Sequence, residues 1–476
     1  MRCRLPLIGL LVAVGCIRYR SDPQFEATPS RAVTDFAARR LDDSALTSYI
    51  TRMAGTALDT GWTEDRIALT ALYFRGELRL ARAIVDEARA GEATAGAWPP
   101  FTAEGSVSRT ARPLENTQSR WSESITATLT LELGGKRGAR LARARAETLA
   151  ARLRLDAVAW QLANDARAAA IGAIAADAAL ADATAEATAV RTLSQMLRAR
   201  YADGQLSLAE VARAETDERG AAIAAVEAQR ARIDARAALA RALGVRFDRV
   251  DTLPLRIAPV SSCTILDSLS ARSGSVAVHD SLALLALQTR ADVGAEVAEY
   301  TGADADLRLE VARQYPDLTL GPGLLWDQGI PGWIVNVGLP SLIGGRNRGP
   351  IAGSEARRAE QGARVRLLQD SVQSDIDGAV ARCRGVRGVV ASADSLIDAT
   401  QHAADLADSA YQRGETGRTE RAIADLALVR AEHMRRQAIA RREAAGAGLD
   451  RATGRWIGLT ARGPWPGTAT NVGQPQ

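Results

Sequence analysis

The chain has 476 residues, more than one ordinary domain needs, with 60 Lys plus Arg against 56 Asp plus Glu. That near balance excludes the dense basic tract by which nucleic-acid binders hold phosphate. Three histidines (His279, His402, His433) and four cysteines are too scattered for a metal site or a disulfide framework.

Residues 1–16 read as a targeting segment: Arg2 and Arg4, the apolar run Leu5–Val14, then Ala13–Val14–Gly15–Cys16. Small residues before a cysteine fit a lipoprotein signal with Cys16 as the acylated first residue; a plain secretory cut nearby is the alternative. Ile17 is not the Asp that tends to hold bacterial lipoproteins at the inner membrane. Beyond this segment no run of about 18 apolar residues is expected to span a membrane as helix, so any span must be β. Residues 17–45 are polar, a tether with a short helix.

Trp62–Ala95 is expected to form one helix, with Thr63 as cap and Ile67, Leu69, Leu72, Leu78 and Leu80 as its stripe. Trp98–Pro99–Pro100 stops it. Phe101, Ala103, Gly105 and Val107 then alternate with Thr102, Glu104, Ser106 and Ser108, an amphipathic strand. The polar Thr110–Arg120 stretch is an outer loop. From Ser124 to Leu133 the alternation is strict: Ile125, Ala127, Leu129, Leu131 and Leu133 against Ser124, Thr126, Thr128, Thr130 and Glu132. Ten residues is about what a tilted strand needs to cross a bilayer.

Gly134–Gly138 punctuates, and Ala139–Ala202 is a proline-free helix roughly 96 Å long at about 1.5 Å per residue. Gly204 stops it, and Ser207 with Glu210 forms a capping box that opens a return helix to about Ala242, closed by Gly244. Pro254–Pro259 and Ser261–Ser262 read as a linker. Helix resumes over Ser275–Val311. Leu318, Leu320, Leu324 and Trp326 share one parity of a third strand, in which Pro322 is awkward. After the Asp327–Gly332 turn, Trp333, Val335, Val337 and Leu339 form the apolar side of a fourth. Helix follows from Ile351 to about Ala410, then a return helix to Gly454 and an irregular tail.

The pattern repeats. Gly134–Gly135 and Gly344–Gly345 lie 210 positions apart, as do Tyr201…Gly204 and Tyr411…Gly414. Glu420 matches Glu210, while Gly417 stands in place of Ser207. The chain therefore divides into a signal segment (1–16), two copies of a strand pair feeding a helical hairpin (17–260 and 261–455), and a tail (456–476). Trp98, Trp121, Trp326 and Trp333 flank the strands, where an interfacial girdle would sit. Four strands cannot close around a lumen, because a small barrel needs about eight. The chain must then oligomerise if they cross a membrane. Cys263 and Cys383 are expected to be small packed residues, and no nucleophile or phosphate loop is present. Gly134–Gly135–Lys136–Arg137 lacks the spacing of one.

The layout resembles the TolC-like outer-membrane factors, most closely the CzcC-like branch serving heavy-metal efflux. The stretches carrying the resemblance are Arg313–Gln314–Tyr315–Pro316–Asp317–Leu318, Trp326–Asp327–Gln328–Gly329, Leu339–Pro340, Arg346–Asn347–Arg348–Gly349–Pro350–Ile351 and the two Tyr-x-x-Gly turns. The resemblance implies a mainly α chain with some β, internally duplicated, forming a lipid-anchored homotrimer. Its four strands would contribute to a twelve-stranded transmembrane β-barrel and its hairpins to a periplasmic α-barrel. It implies a non-enzymatic exit duct without cofactor or metal, set in outer-membrane lipid. The partners would be a periplasmic adaptor protein and an inner-membrane pump of the RND type. By motif, Tyr201, Gly204, Ser207, Tyr411, Gly414 and Gly417 would dock the adaptor, and Glu420 and Asp425 would constrict the periplasmic mouth. Pro99–Pro100 departs from the family's Asn-Pro, and Gly417 makes the second tip unlike the first. A same-fold duct for type I protein secretion and a lipid-anchored periplasmic coiled-coil adaptor or scaffold are the competing readings.

Overall fold

A computed structural model describes residues 28–54, 61–111, 119–256, 261–338 and 347–454. Cys16, the Leu339–Arg346 stretch and the tail from Arg455 lie outside them. The elements, in chain order, are α1 (Pro29–Ala37), α2 (Ser44–Ala54), α3 (Glu64–Phe74), α4 (Gly76–Gly96), β1 (Thr102–Arg109), β2 (Trp121–Leu131), α5 (Lys136–Ala202) and α6 (Leu208–Leu243). There follow α7 (Ser262–Ser273), α8 (Ser275–Thr289), α9 (Ala291–Ala312), β3 (Leu318–Asp327), β4 (Ile330–Gly338), α10 (Arg348–Gln412) and α11 (Arg418–Thr453).

The two expected single helices before the strand pairs are each broken. α3 and α4 part at Arg75 (φ −73°, ψ 126°), and α8 and α9 part at Arg290 (φ −68°, ψ 122°). The cause is the same in both halves. Return helices α6 and α11 end there, in left-handed Gly244 and Gly454, with carbonyls left unpaired by the helix geometry. Arg75 Nη1 donates to the Arg241 carbonyl at 2.6 Å, and Arg290 Nη1 donates to that of Ala452 at 3.2 Å. Each extended arginine thus caps a neighbouring helix, which periodicity along its own helix cannot show. The expected linker at Ser261–Ser262 is instead the start of α7.

α5 packs against α3, α4, α6, α9 and α11. Alanines make this close approach feasible: Ala159, Ala163, Ala166, Ala170 and Ala173 are all buried. α5 also holds an 18-residue window long and apolar enough, by length and composition alone, to cross a membrane. Two cores flank α5 and α10. One joins α2, α3, α5 and α6 around Ile67, Leu72, Leu239 and Leu243; the other joins α7, α8, α10 and α11 around Val372, Ile376 and Leu449. The second contains a correction: Cys263 and Cys383 are not merely packed but bonded, their Cα atoms 5.2 Å apart, which ties α7 to α10. Their spacing of 120 residues carries no signature, and only the seating of α7 beside α10 brings them together.

The strands form one antiparallel sheet in the order β1-β2-β3-β4. β3 and β4 join through Gln328 (φ 52°) and Gly329 (φ 94°), a two-residue turn whose left-handed pair matches strand twist. Pro322 sits inside β3, a non-edge strand of the sheet. The β2–β3 ladder is interrupted there, between the Thr126↔Gly323 and Leu129↔Leu320 pairs, and resumes in the same register. The proline, lacking an N–H, falls where no ladder bond is asked of it. Gly323 beside it allows the close approach: a Cβ would lie 2.5 Å from the Ile125 carbonyl oxygen.

Candidate functional site

Among the described residues the register puts the apolar positions of the four alternating patterns on one side, with Glu123 among them. Ala103, Gly105 and Val107 align with Ala127, Ile125 and Glu123; these align with Pro322, Leu324 and Trp326, and those with Val335, Trp333 and Pro331. Thr126, Ser124, Ser106, Glu104, Thr319 and Asn336 occupy the opposite side. Nothing among the described residues covers the apolar side: Trp333 is 86% exposed, and Val107, Ile125, Val335 and Val337 are exposed as well. An uncovered apolar sheet face of this extent marks contact with lipid or with another protein. The outermost strands β1 and β4 each pair on one side only, so both edges are open.

Trp121, Trp326 and Trp333 lie toward the turn end of the sheet, whereas Trp98 lies at the helix end. Arg109 stands over the Trp121 ring at 5.6 Å and Arg137 over the Trp98 ring at 4.6 Å. Polar clamps fix the helix end. Asp317 accepts from Lys136 Nζ at 2.7 Å and from the Leu133 backbone N–H at 3.2 Å. Arg140 pairs with Glu132, and Asn347 donates to Glu310 Oε2 at 2.9 Å. Gly134 (φ 75°) turns here against Tyr315, a Cβ at this position lying 3.0 Å from the Tyr315 ring. The Gln314–Asp317 motif and the Gly-Gly pair are thus two halves of one junction.

The hairpin tips share one geometry. Gly204 N–H donates to the Tyr201 carbonyl (2.8 Å) and Gln205 N–H to that of Arg200 (2.9 Å); Gly414 and Glu415 repeat this with Tyr411 (3.0 Å) and Ala410 (2.9 Å). Both glycines are left-handed, closing a Schellman turn. The first tip has the full capping box: the Ser207 hydroxyl accepts from Glu210 N–H, and Glu210 Oε2 accepts from Ser207 N–H at 2.8 Å. The Ser207 N–H and hydroxyl, both donating to Oε2, hold the Glu210 carboxyl below its usual range. The second tip keeps only half, Glu420 Oε2 accepting from Gly417 N–H at 3.1 Å, since glycine has no hydroxyl to return. Arg418 Nε instead donates to the Tyr411 hydroxyl at 3.1 Å. Glu420 also faces Arg200 of the first tip at 3.6 Å, so the structure brings the two tips together. Asp425 lies further along α11, exposed, near Arg421 at 3.9 Å. Arg200 and Arg418 carry no signal in the sequence, where they are two of many arginines.

Between the sheet junction and the tips, a cavity of about 260 Å³ opens where α8 gives way to α9, lined by Asp156, Trp160, Gln161, Arg290, Asp292 and Arg451. Burial pushes the Asp156 carboxyl up to about 6. Because the folded value exceeds the unfolded one, this group leaves the protein most stable at low pH and costs stability as pH rises through about 4 to 6. Asp156→Asn is expected to raise stability by about 1–2 kcal/mol at neutral pH, allowing for partial exposure, with no gain below pH about 4. Melting temperature against pH checks this; an equal gain at all pH values refutes it. Among the described residues no group of His, Cys, Asp and Glu could hold a metal. His279 Nε2 instead lies 2.6 Å from Asp377, joining α8 to α10.

Solved structures share this arrangement of sheet and helices. The outer membrane protein VceC of Vibrio cholerae aligns with TM-score 0.63 and 19% identity, over 83% of this chain and 96% of its own. The fold is that of the outer-membrane efflux channels. The channel OprN aligns with TM-score 0.64 and 19% identity over 94% of this chain and 99% of its own. The MtrE channel of Neisseria gonorrhoeae, in its open state, aligns with TM-score 0.60 and 19% identity over 82% and 89%. Residues 70–245, from α3 to just past the end of α6, match the family model described as outer membrane efflux protein, whose members are non-enzymatic transport ducts. No curated protein matches the chain.

Proposed function

We propose that the chain is the outer-membrane exit duct of a tripartite efflux system, a passive homotrimer conducting small solutes outward. The observation that carries this is the sheet: four strands, one side apolar but for Glu123 toward the turn end, two open edges, joined directly to helices of 67 and 65 residues. In lipid an open edge is untenable, and closing β4 of one copy on β1 of the next removes it. Three copies supply twelve strands, enough for a lumen lined by the Ser, Thr and Gly side. The 67-residue α5 then extends roughly 100 Å beyond the membrane. Both tips, with Tyr201, Gly204, Ser207, Tyr411, Gly414 and Gly417, would meet a periplasmic adaptor serving an RND-type pump. Cys16 would carry the lipid anchor, and the two halves, 17–260 and 261–455, would be copies of one unit. The tryptophans fit a girdle at two levels. The heavy-metal lean, with metal cations as cargo, rests on the motif resemblance alone.

Planar-bilayer conductance of the purified detergent-solubilised chain, with its mass, tests the duct. A trimer giving reproducible channel steps supports it; a monomer without conductance refutes it. In the trimer Glu420 and Asp425 would supply a ring of carboxylates that favours cations. Glu420→Gln with Asp425→Asn is expected to lower the cation-to-anion permeability ratio about twofold or more. The Glu420–Arg200 pairing that this variant removes is solvent-exposed and worth under about 1 kcal/mol, so trimer stability should not move. An unchanged reversal potential under a salt gradient would remove these residues from the mouth.

A further inference from the structure

The packing order of the helices defines two flanks. Near the sheet it runs α4, α5, α9, α10; toward the tips it runs α6, α5, α11, α10. One flank of the chain is therefore α4 and α6, continuous with edge strand β1, and the other is α10, continuous with edge strand β4. Both flanks carry exposed apolar side chains at helical spacing: Ile223, Val226 and Ile233 on α6, and Leu367, Val389 and Leu396 on α10.

Their charges are opposite at one height. Beside the end of α6 an open groove of about 860 Å³ is lined by Phe36 and by Arg39, Arg75, Arg241 and Arg246, with Glu77 and Asp248 pairing Arg75 and Arg246 and leaving Arg39 and Arg241 as its unneutralised charge. Arg39 stacks over Phe36 (5.0 Å) and donates to the Gly244 carbonyl at 2.6 Å. Burial pushes the Arg39 guanidinium down, helped by the charges of Arg79 and Arg75 and opposed by Asp35. Arg79 and Arg241 are exposed and make no ion pair among the described residues. On α10, Asp370, Asp375 and Asp377 follow one another with no basic residue between Arg366 and Arg382, and all three are exposed. Asp375 is engaged by Arg290 at 3.3 Å and Asp377 by His279 at 2.6 Å, both still exposed, while Asp370 faces out with no ion pair among the described residues and Asp280 of α8 adds a further acid beside His279. From Arg348 to Asp377 is about 44 Å of helix, and Arg241 lies beside Arg75, at the far end of the 21-residue α4 from the sheet, about 32 Å of helix away. That is too far below the sheet for lipid headgroups to reach the groove.

We propose that the arginine groove at the end of α6 receives the Asp370–Asp377 segment of a second copy of this chain, forming an electrostatic belt at the waist of the assembly. Each copy gives its acids to one neighbour and its arginines to the other, a head-to-tail contact that closes as a ring. It rests on the trimeric duct reading and adds the contact that sets the order of the subunits away from the membrane.

The test is the trimer–monomer ratio of the full-length detergent-solubilised chain at about 0.05 M and about 1 M salt. For the native chain a trimer that loosens with salt is expected. Arg79→Glu with Arg241→Glu, or Asp370→Lys with Asp377→Lys, should raise the dissociation concentration at low salt at least about tenfold. Combining all four changes in one chain should restore it to within about threefold. Should a reversal fail to fold by circular dichroism, Arg241→Gln decides: it should lose most of the salt dependence. Native-like trimers from both reversals, no rescue in the combination, or an unchanged salt response in Arg241→Gln would overturn the belt. A native chain that is itself monomeric would instead refute the duct reading.

Discussion

Replacing Arg167 by alanine is expected to cost about 3–5 kcal/mol, a large share of a folded chain's total stability. Arg167 leaves α5 and pairs with Glu64 of α3 and Asp450 of α11. All three are largely buried, Asp450 only 1% exposed, and Ser262 of α7 donates to the same Asp450 at 2.6 Å. Burial pushes the nearby Glu443 carboxyl up, with Arg442 opposing and Glu64 adding to it. Without the guanidinium, two carboxylates face each other in an interior that cannot hydrate them. The cluster joins both halves of the chain, so the loss is not local. A nearby contrast isolates burial: Arg451 pairs with Asp165 at 3.1 Å, but both are about half exposed. Arg451→Ala should cost under about 1 kcal/mol. Thermal unfolding of the two variants checks the pair, and similar losses would show that the buried cluster is not what locks the halves.

The second large effect is expected from the Cys263–Cys383 bond. Closing a loop of 120 residues restricts the unfolded chain by about 4–5 kcal/mol in the loop-entropy estimate, and losing a native bond costs about 2–5 kcal/mol in practice. Cys383→Ser should lower stability by that amount and loosen α7 and α8 from α10 first, since the bond sits in the smaller core beside Leu266 and Val380. The first half has no such bond among the described residues and relies on Tyr49, Trp62 and Phe74. Hydrogen exchange on α7 and α8, with and without reductant, measures it. Two free thiols in the native, unreduced protein would sink the prediction. A persistent disulfide also demands an oxidising compartment, as the proposed duct would have in the periplasm.

Much of the fold was legible because its signals are local. Strands announce themselves by period-two alternation, helices by proline-free Ala, Leu and Arg, and tips by a glycine after Tyr-x-x and a glutamate at N3. The helix breaks at Arg75 and Arg290 were not legible, because the partners that cause them are carbonyls of α6 and α11, about 165 residues away in sequence. The cross-tip Arg200–Glu420 contact was hidden for the same reason.

By itself, then, the sequence determined the four strands, the long helices and their tips, though not the breaks at Arg75 and Arg290, and that each strand has a wet and an apolar side. Those properties depend on neighbours within a few positions along the chain. Only the tertiary structure decided that the four apolar sides coincide in one register, and that a proline fits inside β3. It alone placed Arg167 between two acids from opposite halves, paired Cys263 with Cys383, and left β1, α4 and α6 on one flank with β4 and α10 on the other. These depend on distances between residues far apart in the chain, which are set when the alanine faces of α5 close on their neighbours and which no local periodicity encodes.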